Sequence, residues 1–190
     1  MPCRLAAFED TQPKKAEDSA DVSILRGKRI LLAEDNDLNA EIAIAMLSEV
    51  GLVIDRAENG VDCAEKLDKA PTGYYSLILM DIQMPVQDGY ATTEMIRRFS
   101  DPKKANIPII AMTANAFAED REKALAVGMN DHVAKPIDMN KINQTLLRVT
   151  EKIVWKQKTE EIREYWESGI RKMVRYFWTR VLLEPGVQKQ

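Results

Sequence analysis

Histidine and cysteine are scarce in this chain of 190 residues. The single histidine, His132, excludes every site that needs two, such as a zinc site built on a histidine pair. The two cysteines, Cys3 and Cys63, are too few for a disulfide framework and are typical of a reducing compartment. We therefore expect buried or unreactive thiols. The chain also lacks a glycine-rich loop that would hold nucleotide phosphates.

Long apolar runs and an excess of positive charge are missing as well. No segment approaches the ~18 apolar residues of a membrane-spanning helix, and the N-terminus lacks the basic-then-apolar pattern of a secretory signal. We expect a cytoplasmic protein with no transmembrane segment in this chain. The 27 basic and 30 acidic residues give a net charge of −3, so no direct nucleic-acid partner is expected.

Charge and aromatic content divide the chain into three unlike parts. The net charges are −1 for residues 1–27, −5 for residues 28–150 and +3 for residues 151–190. The last part also holds half of the aromatic residues and all three tryptophans. The sequence therefore predicts a leader or linker, one core domain and an amphipathic helical tail.

The middle part alternates short apolar runs with longer amphipathic ones. The predicted strands are residues 29–33, 53–57, 76–80, 107–111 and 132–134. The predicted helices are residues 38–50, 61–69, 90–99, 117–127 and 138–149. Such alternation is typical of a doubly wound α/β fold with a five-stranded parallel sheet. In that fold the ligand site lies beyond the carboxyl ends of the strands.

Polar residues stand at the predicted strand ends. They are Glu34 and Asp35, Asp81, Thr113, and Lys135 followed by Pro136. Three crowded carboxylates repel one another, and a hard cation such as Mg2+ relieves that repulsion. A lysine and a threonine at the same edge would attract the oxygens of a phosphoryl group. These residues together predict a site that binds a metal ion and a phosphoryl group.

The amino-acid sequence around these residues resembles that of the receiver domain of two-component response regulators, most of all the receiver of a hybrid sensor histidine kinase. Residues 31–36 (LLAEDN) resemble its acidic first-strand motif, and residues 80–89 (MDIQMPVQDG) resemble its phosphoacceptor motif. Thr113-Ala114 and Lys135-Pro136 match the two remaining signature positions. The resemblance covers about residues 28–150 and implies a flavodoxin-like (βα)5 fold with strand order 2-1-3-4-5.

The resemblance also implies a phosphoacceptor switch in a phosphorelay. Asp81 would take a phosphoryl group from a phosphohistidine on a cognate histidine kinase or phosphotransfer domain. Mg2+ or Mn2+ would be held by Glu34, Asp35, Asp81 and the backbone carbonyl of Gln83. As an enzyme, such a module catalyses only its own phosphorylation and dephosphorylation.

The remaining signature residues receive supporting roles from the resemblance. Lys135 would neutralise phosphoryl oxygens, and its peptide bond to Pro136 would be cis. Thr113 would turn toward the phosphoryl group, helped by the Ala114 amide. The sequence departs from the family at His132, where receivers usually carry the tyrosine or phenylalanine of the switch. Gln83 and Asn115 flank the site and would influence the lifetime of the acyl phosphate.

Two other functions stay open from the sequence. One is a phosphatase with an aspartyl-phosphate intermediate, although Gln83 stands where such enzymes place a second acid. The other is a receiver-like interaction domain that no longer cycles phosphate. Residues 2–6 resemble the last strand of a sensor-kinase ATPase domain, so the chain is either a piece of a hybrid histidine kinase or a free-standing regulator.

The tail carries apolar residues at helical spacing. They are Ile162, Trp166, Ile170, Met173, Phe177 and Val181, and the sequence 184–186 (EPG) would end the helix. We expect this helix to pack on the receiver or to form a homodimer, for which the receiver itself is the other candidate surface. A membrane surface or the groove of a partner protein is the alternative.

Overall fold

The computed structural model describes residues 22–114 and 118–182. The strands are β1 (Arg29–Ala33), β2 (Val53–Ala57), β3 (Leu77–Asp81), β4 (Ile109–Thr113) and β5 (Asp131–Ala134). The helices are α1 (Asp37–Glu49), α2 (Gly60–Lys69), α3 (Gly89–Arg97), α4 (Pro102–Ala105), α5 (Ala118–Ala126) and α6 (Met139–Leu182). The leader up to residue 21, Asn115, the start of the predicted helix 117–127 and the helix stop at 184–186 lie outside the described residues.

The five strands form one parallel sheet in the order β2-β1-β3-β4-β5. The predicted fold and strand order are confirmed. Every residue of β3 and β4 is buried, because helices cover both faces of a parallel sheet of this kind. Successive side chains of a strand point to opposite faces, so Leu32 packs in one core layer and Leu31 in the other.

The observed β3 and β4 lie one and two residues later than predicted. The ladder explains the shift in β4, because the amide of Ile78 donates to the carbonyl of Pro108 at 2.8 Å. Pro108 therefore accepts at the entrance of β4 but cannot donate within it. Asp81 and Thr113 consequently end their strands instead of following them, and both are buried.

One helical turn, α4, was not predicted. Asp101 caps its start by accepting from the amide of Lys103, and Pro102 occupies the first turn. An aspartate followed by proline is a known start signal for a helix. With only four residues, α4 has no apolar periodicity that would reveal it.

The large apolar residues of α1 and its C-cap recur at helical spacing, at Leu38, Ile42, Met46 and Val50, but the buried face of the helix is a different one. Leu38 and Ile42 are 65% and 49% exposed. The face toward the sheet consists of Ala40, Ala43 and Leu47. Small side chains allow the helix to lie close to the sheet, and two large apolar residues are left on the surface beside the carboxyl end of β1.

The last helix runs without a break through residue 150, where the sequence had suggested a separate tail. Ile142, Leu146 and Val149 of α6 join the core layer that also contains α1. Beyond them every described side chain from Glu151 to Val174 is exposed except Ser168. Among the described residues, no helix combines the length and the hydropathy needed to cross a membrane.

Candidate functional site

Three carboxylates meet at the carboxyl edge of the sheet. Glu34 and Asp35 follow β1, and Asp81 ends the neighbouring strand β3. One oxygen from each lies within 4.8 Å of the other two. Glu34 is 2% exposed and Asp81 is 6% exposed, whereas Asp35 faces solvent. The site therefore has a buried floor and an open acidic rim.

Lys135 completes this cluster from the loop that follows β5. Its Nζ donates to Glu34 Oε2 and to Asp81 Oδ2, each at 2.5 Å. The backbone amide of Lys135 donates to the carbonyl of Thr113 at 2.7 Å. The peptide bond between Lys135 and Pro136 is cis. The lysine thus neutralises part of the charge that the carboxylates bring together.

Burial and charge oppose each other in the Lys135–Asp81 pair. Burial raises the pKa of the Asp81 carboxyl above its usual value, and the hydrogen bond and charge of Lys135 offset only part of this effect. Burial alone would lower the pKa of Lys135, but its contacts with Asp81 and Glu34 outweigh burial and raise that pKa. Lys135 therefore stays charged at neutral pH.

The second oxygen of Asp81 is oriented by the chain that follows it. The backbone amide of Gln83 donates to Asp81 Oδ1 at 3.1 Å. This bond and the bond from Lys135 use different oxygens of the Asp81 carboxylate, so the two bonds together fix its orientation. Gln83 therefore lies at the site, as its predicted place among the metal ligands requires, while the role of its carbonyl stays a prediction.

Two residues that the sequence analysis missed hold the acidic loop after β1. Asn39 Nδ2 donates to Glu34 Oε1 at 3.0 Å. Arg56, near the end of β2, donates to the backbone carbonyls of Glu34 and Asp35 at 3.2 and 3.3 Å and pairs with Asp37 at 2.7 Å. The predicted strand order puts β2 beside β1. A basic residue near the end of β2 could therefore have indicated a contact between Arg56 and the acidic loop after β1.

A cleft of about 140 Å3 opens beside the acidic cluster. Its lining residues are Ile82, Gln83, Tyr90, Thr113, Ala114, Asp120 and Lys123. The cleft connects the end of β4 to α3 and α5. Thr113 and Ala114 thus lie where their predicted contact with a phosphoryl group requires them, next to the end of β3. Their roles stay predictions.

His132 lies on β5, where it pairs with Ala111 of β4. Its side chain is 25% exposed and its Nδ1 is buried without a hydrogen-bond partner, 3.7 Å from Asp131 Oδ1. The ring is not among the groups that line the cleft. The register nevertheless puts His132 on the same face of the sheet as Ala111 and Thr113, and its switch role stays a prediction.

The donor set fits a hard divalent cation. It offers three carboxylate oxygens close together and neither a thiolate nor an imidazole, and oxygen ligands of this kind are those that Mg2+ and Mn2+ prefer. Two of the carboxylates already attract the Lys135 ammonium. An additional positive charge at the exposed Asp35 side of the cluster would complete the compensation.

The sheet order, the acidic cluster and the lysine define a recognisable class of protein. The family described as the response regulator receiver domain matches residues 30–147, which is more than half of the chain. The chain belongs to this family. The resemblance drawn from the sequence motifs is thereby confirmed.

Curated relatives place the chain near hybrid histidine kinases. Hybrid signal transduction histidine kinase B of Dictyostelium discoideum is 42% identical over 124 residues, which cover 60% of this chain and 6% of that protein. Histidine kinase 1 of Arabidopsis thaliana is 34% identical over 165 residues, which cover 71% of this chain and 14% of that protein. The chain thus spans less than a fifth of the length of these relatives.

Solved structures agree with the family. A receiver domain of a sensor histidine kinase from Pseudomonas aeruginosa, solved with magnesium in its active site cleft, is 38% identical with a TM-score of 0.57. The match covers 64% of this chain and 96% of that one. A yeast receiver domain from Saccharomyces cerevisiae, solved with a histidine phosphotransfer protein, is 29% identical with a TM-score of 0.56, covering 64% and 87%.

Proposed function

We propose that this chain is a phosphoacceptor switch in a phosphorelay and that Asp81 carries the phosphoryl group. The observation that carries the proposal is the contact of Asp81 with Lys135 Nζ inside a cluster of three carboxylates. A buried carboxylate with one fixed cation is a nucleophile in a setting that stabilises the charge of a phosphoryl group. Membership of the receiver family supports the same role.

The transfer is an in-line displacement at phosphorus. A carboxylate oxygen of Asp81 forms the new O–P bond while the N–P bond of a phosphohistidine breaks, and the electron pair of that bond returns to the histidine nitrogen. Lys135 neutralises oxygens of the transferred group, and the Gln83 amide keeps the carboxylate oriented. The reaction needs positioning and charge neutralisation more than further covalent chemistry.

Glu34, Asp35, Asp81 and the carbonyl of Gln83 would hold the divalent cation. When bound, Mg2+ or Mn2+ supplies positive charge that stabilises the phosphoryl oxygens. The magnesium reported in the Pseudomonas aeruginosa receiver supports this assignment. Asn39 and Arg56 act on the same loop by orienting Glu34 and its neighbours.

The phosphodonor must come from another domain or protein. His132 lies on a strand with its Nδ1 buried, so it is not a donor within this chain. We place a donor domain over the open acidic rim, beside the exposed Leu38 and Ile42 of α1 and the exposed Val86. Apolar side chains around a polar site would give such a partner contact area without blocking Asp81.

The phosphorylated state would act through the cleft between β4 and α5. An acyl phosphate adds negative charge next to Thr113 and the Ala114 amide, and a shift of these groups toward it would change the surface formed by α5. Thr113 and Ala114 line the same cleft as Asp120 and Lys123 of α5. This shared lining is the route by which the site can alter contacts with a partner.

The proposal is tested by intact-protein mass spectrometry after incubation with Mg2+ and acetyl phosphate or phosphoramidate. We expect the gain of one phosphoryl group, stable in acid and labile in base, and no gain in Asp81→Asn. Asp62→Asn is the matched control because Asp62 is an acid on α2 that pairs with Lys66 away from the site. Wild-type protein that gains no mass from either donor would overturn the proposal.

A further inference from the structure

The exposed part of α6 leaves an apolar stripe on the surface. Among the described side chains, the large apolar groups are 47–79% exposed: Trp155, Ile162, Tyr165, Trp166, Ile170, Met173 and Val174. At about 100° per residue these positions fall on one side of the helix, within a sector about 180° wide. Exposed aromatic and aliphatic area of this extent, on the order of several hundred Å2, marks an interaction surface.

The charges along this part of α6 change sign. Lys156 and Lys158 precede an acidic segment, residues 160–167, which contains four glutamates and one arginine; a basic segment, residues 171–175, follows with three basic residues and no acid. Two copies lying parallel would set acidic segment against acidic segment. Two copies lying antiparallel would set each acidic segment against the basic segment 171–175 of the other copy, which is favourable by Coulomb attraction.

Charged residues beside the stripe also favour the antiparallel arrangement. Glu161 and Lys172 are eleven positions apart, which is close to three helical turns, so they lie on the same flank of the stripe. In an antiparallel pair each flank meets its own copy, so Glu161 faces Lys172 of the second copy and the reverse contact also forms. In a parallel pair Glu161 meets the opposite flank, which carries Arg163 and Glu167, and does not meet Lys172.

Gly169 lies inside the stripe near the middle of the pairing. A Cβ built on it would meet nothing within 4 Å, so the position is open on the single copy. A glycine at a helix crossing lets two backbones approach closely. The neighbouring aromatic groups of both copies, Tyr165 and Trp166, can then pack around this point.

We propose that two copies of this chain associate through antiparallel pairing of α6 between about residues 155 and 178. The pairing covers the apolar stripe and aligns residues 160–167 of each helix with residues 171–175 of the other. The two receivers then lie at opposite ends of the pair, because the exposed part of α6 extends about 50 Å from the core. The inference does not depend on phosphoryl transfer.

Sedimentation of the full chain over a range of concentrations is the first test. We expect a dimer for wild type and for Asp81→Asn. Trp166→Glu removes an aromatic anchor and should weaken the dimer about 30-fold or more. Arg171→Glu lies on the opposite side of the helix and should weaken the dimer far less than Trp166→Glu does. A wild-type chain that is monomeric at every concentration overturns the proposal, including one that instead binds vesicles of anionic phospholipid.

Charge reversal tests the direction of the pairing. Glu161→Lys and Lys172→Glu should each weaken the dimer a few-fold, and the double variant should restore it. A parallel pair would show no such rescue, because residues 161 and 172 do not meet in it. Oxidation of Lys158→Cys in a Cys3→Ser background gives a second readout, because antiparallel pairing keeps the two introduced thiols about 25 Å apart. Efficient cross-linking of Lys158→Cys would overturn the antiparallel arrangement.

Discussion

The ammonium of Lys135 lies 2.5 Å from Asp81 Oδ2, so the proposed phosphoacceptor and its cation are in contact before any phosphoryl group arrives. The same ammonium contacts Glu34, which faces the site from the neighbouring strand β1. The loop after β5 therefore reaches across the edge of the sheet to β3 and β1. This contact is tertiary, since more than fifty residues separate Lys135 from Asp81.

Replacing Lys135 with methionine should slow phosphorylation of Asp81 about 100-fold, because one preorganised charge that stabilises the phosphoryl oxygens is lost. The initial rate of mass gain with acetyl phosphate and Mg2+ measures the effect. Lys69→Met is the control, since Lys69 pairs with Glu65 on the exposed face of α2. An unchanged rate in Lys135→Met would show that the lysine has no part in the transfer.

Replacing Arg56 with lysine should weaken binding of Mg2+ about 10-fold, in the range of residues that orient metal ligands. Lysine keeps the charge but cannot reproduce the separate contacts with the carbonyls of Glu34 and Asp35 and with Asp37. Titration calorimetry with Mg2+ measures the affinity. Arg29→Lys, whose partner Asp55 lies on β2 away from the acidic loop, should bind as wild type does; equal weakening in both variants would refute the positioning role.

Replacing Gly89 with alanine should lower the free energy of unfolding by about 1–3 kcal/mol. The new Cβ would lie 2.3 Å from the carbonyl oxygen of Asp81 and 3.0 Å from Met80 Cγ, so the start of α3 would have to move. Urea denaturation measures the change. The same substitution at Gly169 meets no neighbour on the single chain and should not destabilise it, so a similar loss at both positions would contradict the steric explanation.

Replacing Cys63 with alanine should reduce the loss of stability at high pH. Burial raises the pKa of the Cys63 thiol to about 12, above that of an unfolded cysteine. Below about pH 9 the thiol is protonated in both the folded and the unfolded chain. As pH rises toward about 12 only the unfolded chain releases the proton, so the free energy of unfolding falls. Denaturation curves at several pH values measure this, and an unchanged pH slope in the variant would contradict it. Native protein should also resist alkylation at Cys63 until it is unfolded.

Much of the fold and the site follows from local sequence. The strand alternation, the strand order implied by the motifs and the set of acids, threonine and lysine at the strand ends all agree with the structure. These features are local, because each depends on a short apolar run and the residue that ends it. Family motifs then supplied the strand order, which spacing alone does not give.

The features that the sequence missed depend on tertiary contacts. Arg56 acts on a loop more than twenty positions away. The close approach of Gly89 to the carbonyl oxygen of Asp81, which leaves no room for a side chain, has no signal in the local sequence. In α1 the periodic large residues Leu38 and Ile42 face solvent, because the sheet selects the face with small residues.

Identification of the phosphorylated residue tests the central claim most directly. Borohydride reduces an aspartyl phosphate to homoserine, so treated protein can be digested and each acidic position followed by peptide mass spectrometry. After incubation with Mg2+ and a phosphodonor, the conversion should occur at Asp81 and nowhere else among the described acids. Reduction of Asp35 or another aspartate to homoserine, reduction of Glu34 or another glutamate to hydroxynorvaline, or phosphate found on a hydroxyl residue that borohydride does not reduce, would contradict the account.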